Sequence, residues 1–151
     1  LEITESEVLR HPEIAFRLLR ELKTHGIKLA IDDFGTGYSS ILTLRQYPFD
    51  QVKIDHSFIK GIPQDPDNVT IVRSVLDMAH NMSITSVAEG IEHLPQLIFL
   101  RNSGCKIGQG FLFAKPMTAD DFERFVPTWP AQWSHLLEAI RESEHALMPS
   151  Q

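Results

Sequence analysis

An α/β fold on a parallel sheet is the architecture this sequence predicts, and three observations predict it. Short apolar runs alternate with helix-length amphipathic segments along the chain, the pattern of repeated strand–crossover–strand units. Glycine or proline punctuates the joints, at Gly26, Pro48, Pro66, Pro95 and Gly104. Polar side chains, Glu2, Asp32, Asp33, Lys53, Asp55, Glu89, Glu92 and Gln109, gather where strands give way to loops. Barrels and open α/β sheets alike carry their sites at that end.

The elements follow in order. Leu1 to Thr4 reads as the end of a strand, after which Thr4 or Ser6 caps a helix with Glu5 or Glu7 in its first turn. A helix over residues 11–24 carries Ile14, Leu18, Leu19 and Leu22 on one face, and Gly26 stops it. Residues 27–31 form an apolar strand tipped by Asp32-Asp33 and a small-residue loop. A short helix over 39–45 carries Ile41, Leu42 and Leu44, and Pro48 prevents its continuation. Residues 51–55 are the next strand. Asp65-Pro66-Asp67 opens a helix to about Asn81, with Val69, Val72, Leu76 and Ala79 inward. Residues 84–88 form a strand tipped by Glu89-Gly90-Ile91-Glu92. Pro95 starts a helix bearing Leu97, Ile98 and Leu100, which Gly104 ends. Residues 106–111 form a last strand, ending in a loop with Lys115-Pro116. Two helices follow, over 119–125 and 130–146. Trp133, Leu136, Leu137 and Ile140 make a helical stripe that reads as core or packing surface.

Composition narrows the function. At 151 residues, 42% hydrophobic and 23% charged, the chain has the makeup of a soluble globular domain with a sizeable core. A net charge of −6 argues against a nonspecific grip on nucleic-acid polymers. Cys105 is the single cysteine, which excludes an intrachain disulfide and suits a reducing, cytoplasmic setting. No run reaches transmembrane length and no signal peptide is evident.

The polar set has a coherent chemistry. Two adjacent carboxylates at the tip of a buried strand repel one another, and a divalent cation offsets that repulsion. Glu2, Asp32, Asp33, Glu89 and Glu92 supply oxygen-only ligands, the kind Mg²⁺ or Mn²⁺ takes. Carboxylates enough for two ions, with Lys53 as a point charge for phosphate, suit phosphoryl chemistry. Asp55 shares a strand face with Lys53 and reads either as part of the site or as a cap. Glu92 reads either as a site residue or as a helix-start carboxylate. Thr36, Ser39 and Ser40 read as loop-stabilising or simple turn residues. Other chemistries find less support. His11, His25, His80, His135 and His145 are scattered over helices, and His56 and His93 lie near strand ends without a metal-ligand pattern. No zinc set or Walker-type phosphate loop is present.

Five motifs, in order, carry a family resemblance. They are Leu1-Glu2-Ile3-Thr4-Glu5-Ser6, Asp32-Asp33-Phe34-Gly35-Thr36-Gly37-Tyr38-Ser39-Ser40, Val52-Lys53-Ile54-Asp55, Val87-Ala88-Glu89-Gly90-Ile91-Glu92 and Gln109-Gly110-Phe111-Leu112-Phe113-Ala114-Lys115-Pro116. Together they resemble the EAL-domain cyclic-di-GMP phosphodiesterases, over about Leu1 to Phe125. The resemblance implies an α/β fold, the C-terminal part of a modified (β/α)8 TIM-type barrel with one antiparallel strand. It implies hydrolysis of cyclic di-GMP to linear pGpG with two Mg²⁺ or Mn²⁺ ions, Ca²⁺ being inhibitory, and a homodimer formed through the barrel.

Residue by residue, Glu2 and Asp32 would bind the first metal, and Asp32 with Asp33 the second. Lys53 would orient the attacking water or hold the phosphate. Glu89 would bind the second metal or act as general base. Asp55, Glu92 and Gln109 would complete the substrate pocket. Glu5 would steady the loop that includes Phe34, Gly35 and Thr36, which in the family links dimer contacts to the active site.

The match also departs from the family pattern. The Glu-Ala-Leu motif and the upstream asparagine, which supply ligands to the first metal, are absent. Phe111 stands where many members carry tyrosine. The chain is therefore expected to be a piece of a longer protein, with residues 1–126 the C-terminal portion of the domain and 127–151 a helical extension. As it stands it is expected to bind the first metal poorly. Four readings are compatible: a phosphodiesterase activity of the parent domain, a noncatalytic cyclic-di-GMP receptor, an inactive truncated fragment, or another metal-dependent phosphodiesterase on a related barrel.

Overall fold

The computed structural model describes residues 1–35 and 41–146. Five strands form one sheet: β1 (Glu2–Thr4), β2 (Ala30–Phe34), β3 (Gln51–Ile54), β4 (Thr85–Ala88) and β5 (Ile107–Gly108). Their spatial order follows their chain order, and every neighbouring pair is parallel. Sequential order with parallel pairing is the arc of a (β/α)8-type barrel, whereas a doubly wound sheet reverses its order at a switch point.

Helices α1 (Glu5–Arg10), α2 (Pro12–Thr24), α3 (Ile41–Gln46), α4 (His56–Gly61), α5 (Pro66–Asn81) and α6 (Leu94–Asn102) occupy the connections. Their starts are written locally. Thr4 caps α1, its hydroxyl accepting the Glu7 amide while the Glu7 carboxylate accepts the Thr4 amide. Asp65 caps α5 ahead of Pro66. The core lies between the sheet and these helices. Leu19, Leu29, Ile31, Val52, Ile54, Ile59, Val72 and Leu100 are buried within it. Each such side chain contributes about 1.5–3 kcal/mol by leaving water.

Residues 1–113 and 114–151 form two compact units. The second contains α7 (Ala119–Phe125), a 3₁₀ turn (Val126–Thr128) and α8 (Trp129–Ala146). Thr118 caps α7 by accepting the Asp121 amide. Phe125, Trp129 and Trp133 form a run of ring contacts at centroid distances of 5.7 and 5.8 Å. Of the expected apolar stripe on α8, Ile140 is buried, Leu136 and Leu137 are half-buried and Trp133 is exposed.

Several expectations are corrected. The second strand runs over 30–34 and so takes in both aspartates. Residues 27–29 stay out of the ladder because the Asp50 carboxylate takes the Leu29 amide, while the Asp50 and Gln51 amides both donate to the Leu29 carbonyl. The face of α2 was expected to bury Ile14, Leu18, Leu19 and Leu22. It buries Leu19 as expected, with Leu22 half-buried and Ala15 added, and leaves Ile14 and Leu18 exposed. Helix α4 was not anticipated, and β5 has two residues where six were expected. The expected helix over 39–45 falls partly outside the described residues.

Candidate active site

The site is assembled at the carboxyl ends of the strands. Lys53, on β3, is 8% exposed in its side chain. Its ammonium donates to Glu2 Oε2 on β1 at 2.7 Å. It lies 2.8 Å from Glu89 Oε1, just past β4, and 3.4 Å from Asp32 Oδ1 on β2. Four consecutive strands in parallel register thus bring together residues up to 87 positions apart in sequence. Burial alone would lower the Lys53 pKa. The hydrogen bonds to Glu2 and Glu89, with the charges of Glu89 and Asp32, outweigh it and push the pKa above the ordinary lysine range.

The Asp32-Asp33 pair sits on a local irregularity. The β2–β3 register shifts between Ile31 and Phe34, and Asp33 takes a positive φ of 53°. The Asp33 amide donates to Asp32 Oδ1 at 3.0 Å. Asp32 reaches Lys53, and Asp33 is exposed. Phe34 returns to the core, and Gly35, at φ 100°, packs where a Cβ would lie 3.0 Å from the Phe58 ring. Glu5 is buried, 3% exposed, on the first turn of α1. Thr36 and the remainder of its loop lie outside the described residues.

Asp55 is the N-cap of α4. Its Oδ1 accepts the Ser57 amide at 3.0 Å, and Oδ2 lies 3.2 Å from His56 Nδ1. Burial tends to raise its pKa, but the bonds from Ser57 and the His56 contact lower it below the usual carboxylate range. Glu92 and Gln109 are both exposed. They are tied in through their backbones: the Glu92 amide donates to Gln96 Oε1, and the Gln109 carbonyl accepts the Ile91 amide.

Gln96 is the polar residue that sequence reasoning missed. It is 4% exposed and bonded at both ends of its amide. Its signal was an incomplete capping box, a glutamine three residues into a helix whose N-cap position holds His93 rather than serine or threonine.

The donor set is that of a hard-cation site, carboxylate oxygens at one end of a parallel sheet. In this arrangement the carboxylates close on the Lys53 ammonium. Among the described residues, no group of three or more His, Cys, Asp or Glu side chains is spaced to hold a metal ion. Nor is any helix among them long and apolar enough to cross a membrane.

An α/β-barrel arc with a lysine set among carboxylates near its strand ends defines the class, an α/β-barrel protein with a charged cluster where such folds carry their sites. Comparison with known proteins gives the family. Residues 1–116 match the EAL domain model, and the chain belongs to that family. It is 40% identical over 126 residues to the cyclic di-GMP phosphodiesterase NbdA of Pseudomonas aeruginosa, covering 83% of this chain and 16% of that protein. The solved EAL domain of Mycobacterium smegmatis DcpA superposes with a TM-score of 0.78 at 38% identity, covering 85% of this chain and 57% of that one. Klebsiella pneumoniae BlrP1, solved as a manganese complex with cy-diGMP, gives a TM-score of 0.72 at 38% identity, covering 76% of this chain and 29% of that one.

Proposed function

We propose that this chain supplies the C-terminal part of a catalytic domain that hydrolyses cyclic di-GMP to linear pGpG with Mg²⁺ or Mn²⁺. The observation that carries the reading is Lys53, buried and held by Glu2, Asp32 and Glu89 at the sheet's carboxyl end. The substrate comes from the relatives: NbdA is named for this activity, and BlrP1 was solved with this nucleotide. The chain spans 16% of NbdA and 29% of the BlrP1 chain, so the activity is assigned to the protein in which this segment works.

Glu2, Asp32, Asp33 and Glu89 would hold the divalent ions. A bound ion polarises a phosphoryl oxygen and acidifies water. Lys53 holds one positive charge at a fixed point among the carboxylates, where it meets a phosphate oxygen or orients the attacking water. Glu89 accepts the water's proton. Asp32 and Glu2 keep Lys53 protonated throughout. Asp55 holds the start of α4 beside Lys53, and Glu92 and Gln109 line the approach. Glu5, Phe34, Gly35 and Thr36 steady the loop after β2. The family's homodimer and the division into residues 1–126 and a helical extension at 127–151 complete the reading.

A second reading is a noncatalytic cyclic-di-GMP receptor, favoured by the closure of the carboxylates on Lys53 rather than around an open cation site. The test is chromatography of cyclic di-GMP incubated with Mn²⁺ and the longest protein in which this sequence occurs. Formation of pGpG, lost in Glu89→Gln while nucleotide binding remains, supports the enzyme. Binding without product supports the receptor and overturns the first reading.

A further inference from the structure

The buried Gln96 side chain joins two segments that continue from the site strands. Its Oε1 accepts the amides of Glu92 and His93, each at 2.9 Å, and its Nε2 donates to the Ile59 carbonyl at 3.0 Å. Two amide donors on one side and a carbonyl on the other fix which end is oxygen. Ile59 belongs to α4, which Asp55 caps two residues after Lys53. Glu92 and His93 belong to the connection that leaves β4 through Glu89.

That connection is short and tightly held. The Glu89 amide donates to the Ile54 carbonyl at 3.2 Å. Gly90, at φ 71°, backs onto His56, and a Cβ there would lie 2.6 Å from His56 Cβ. Ile91 is clamped by Gln109 and Leu112 through its amide and carbonyl. Gln96 contributes what these contacts do not, a tie from the same connection to the far end of α4. Without it, the amides of Glu92 and His93 lose the acceptor they share, and the Ile59 carbonyl keeps only the Ile62 amide that closes α4.

We propose that Gln96 is a positioning residue that sets the Lys53–Glu89 pair by locking the β4–α6 connection to α4. The proposal rests on the reading of Lys53 and Glu89 as groups of the reacting site. It does not depend on turnover by this chain, because the geometry of the pair can be read directly.

The experiment is ¹H–¹⁵N NMR of the lysine ammonium groups in this chain, with the Lys53 signal assigned by its loss in Lys53→Met. Gln96→Met keeps the length of the side chain and removes all three bonds. Val75→Ala, in the core on α5, is the control for general destabilisation. Gln96→Met is expected to shift or broaden the Lys53 signal beyond its linewidth, and Val75→Ala to leave it in place. Gln96→Glu, which keeps the acceptor for Glu92 and His93 and loses the donor to Ile59, should give a smaller shift. An unmoved signal in Gln96→Met overturns the proposal, as does an equal change in Val75→Ala. Should both Gln96 variants fail to fold while Val75→Ala folds, Gln96 is a folding element and the proposal falls. Failure of the phosphodiesterase reading would appear separately, as absent pGpG with the NMR result intact.

Discussion

Asp50 lies just before β3 and Lys53 within it, and each gathers charges of the opposite sign. Before β3, one carboxylate serves two ammonium groups and an amide. Lys23 Nζ lies 2.7 Å from both Asp50 oxygens, Lys28 Nζ 3.3 Å from Oδ1, and the Leu29 amide donates to Oδ2 at 2.8 Å. Within β3, one ammonium serves three carboxylates. The first cluster has every Asp50 oxygen engaged and organises backbone through the Leu29 amide. The second carries an excess of carboxylate around a buried ammonium, and such an excess attracts cations. The same kind of interaction ties backbone together where cations are in excess around one carboxylate, and leaves negative charge for a further cation where carboxylates are in excess around one ammonium.

The sharpest way to break this comparison is Lys53→Met. It leaves three carboxylates facing one another without their counter-charge. Loss of pGpG formation by at least ~100-fold is expected in the active protein. Denaturant unfolding of this chain should show a loss of about 2 kcal/mol, below the range for a fully buried pair because Glu2 is more than half exposed. An unchanged unfolding curve would mean that the carboxylates do not need the lysine. Glu89→Gln comes next: it should abolish turnover, leave cyclic di-GMP binding within a few-fold, and cost about 1 kcal/mol at most. Retained hydrolysis would remove Glu89 from its assigned role.

Asp50→Ala sharpens the contrast from the structural end. It strands the Leu29 amide and frees both lysines, so a stability loss of about 1–3 kcal/mol is expected. Nucleotide binding and turnover per folded molecule should not change. A selective loss of activity would show that the two clusters are coupled.

The smallest effect is in the pH dependence. Burial tends to raise the Asp50 pKa, but its bonds to Lys23, Leu29 and Lys28 lower it overall. Between its folded and unfolded pKa values the unfolded chain binds more protons, so stability rises with pH there. The Asp50 contribution is therefore present above about pH 4 and lost as pH falls through the lowered value. Lys53, with its pKa raised, contributes fully below about pH 10 and loses that contribution only as pH rises through its folded value. Asp50→Ala should flatten the acid limb of a stability–pH profile, and Lys53→Met the alkaline limb. Matching profiles for the two variants would contradict the inverted arrangement.

Much of the candidate site was legible because its chemistry sits at strand tips. Asp32 and Glu89 follow apolar runs, Lys53 interrupts one and Glu2 opens β1, so these polar residues stood out from their apolar neighbours before any of them was in contact. Asp33 and Gln96 were harder for opposite reasons. Asp33 looks equivalent to Asp32 in sequence, and the structure sets them apart by the register shift between Ile31 and Phe34, the positive φ of Asp33 and its greater exposure. Gln96 carries an ordinary helix residue's signal, and its importance comes from Ile59, 37 positions away.

Residue types and their local order determined the alternation of strand and helix, the caps at Thr4 and Asp65, the inward face of α5 and the family. These depend on interactions within a few residues, which a linear pattern records. Only the tertiary structure decided where β2 begins, which face of α2 is buried, and that three carboxylates meet at one ammonium. Those outcomes depend on which distant group reaches a backbone amide or an ion first. Asp50 claims Leu29 across 21 positions, and Lys53 claims Glu2 across 51. Such contacts form only after parallel pairing brings the strands side by side.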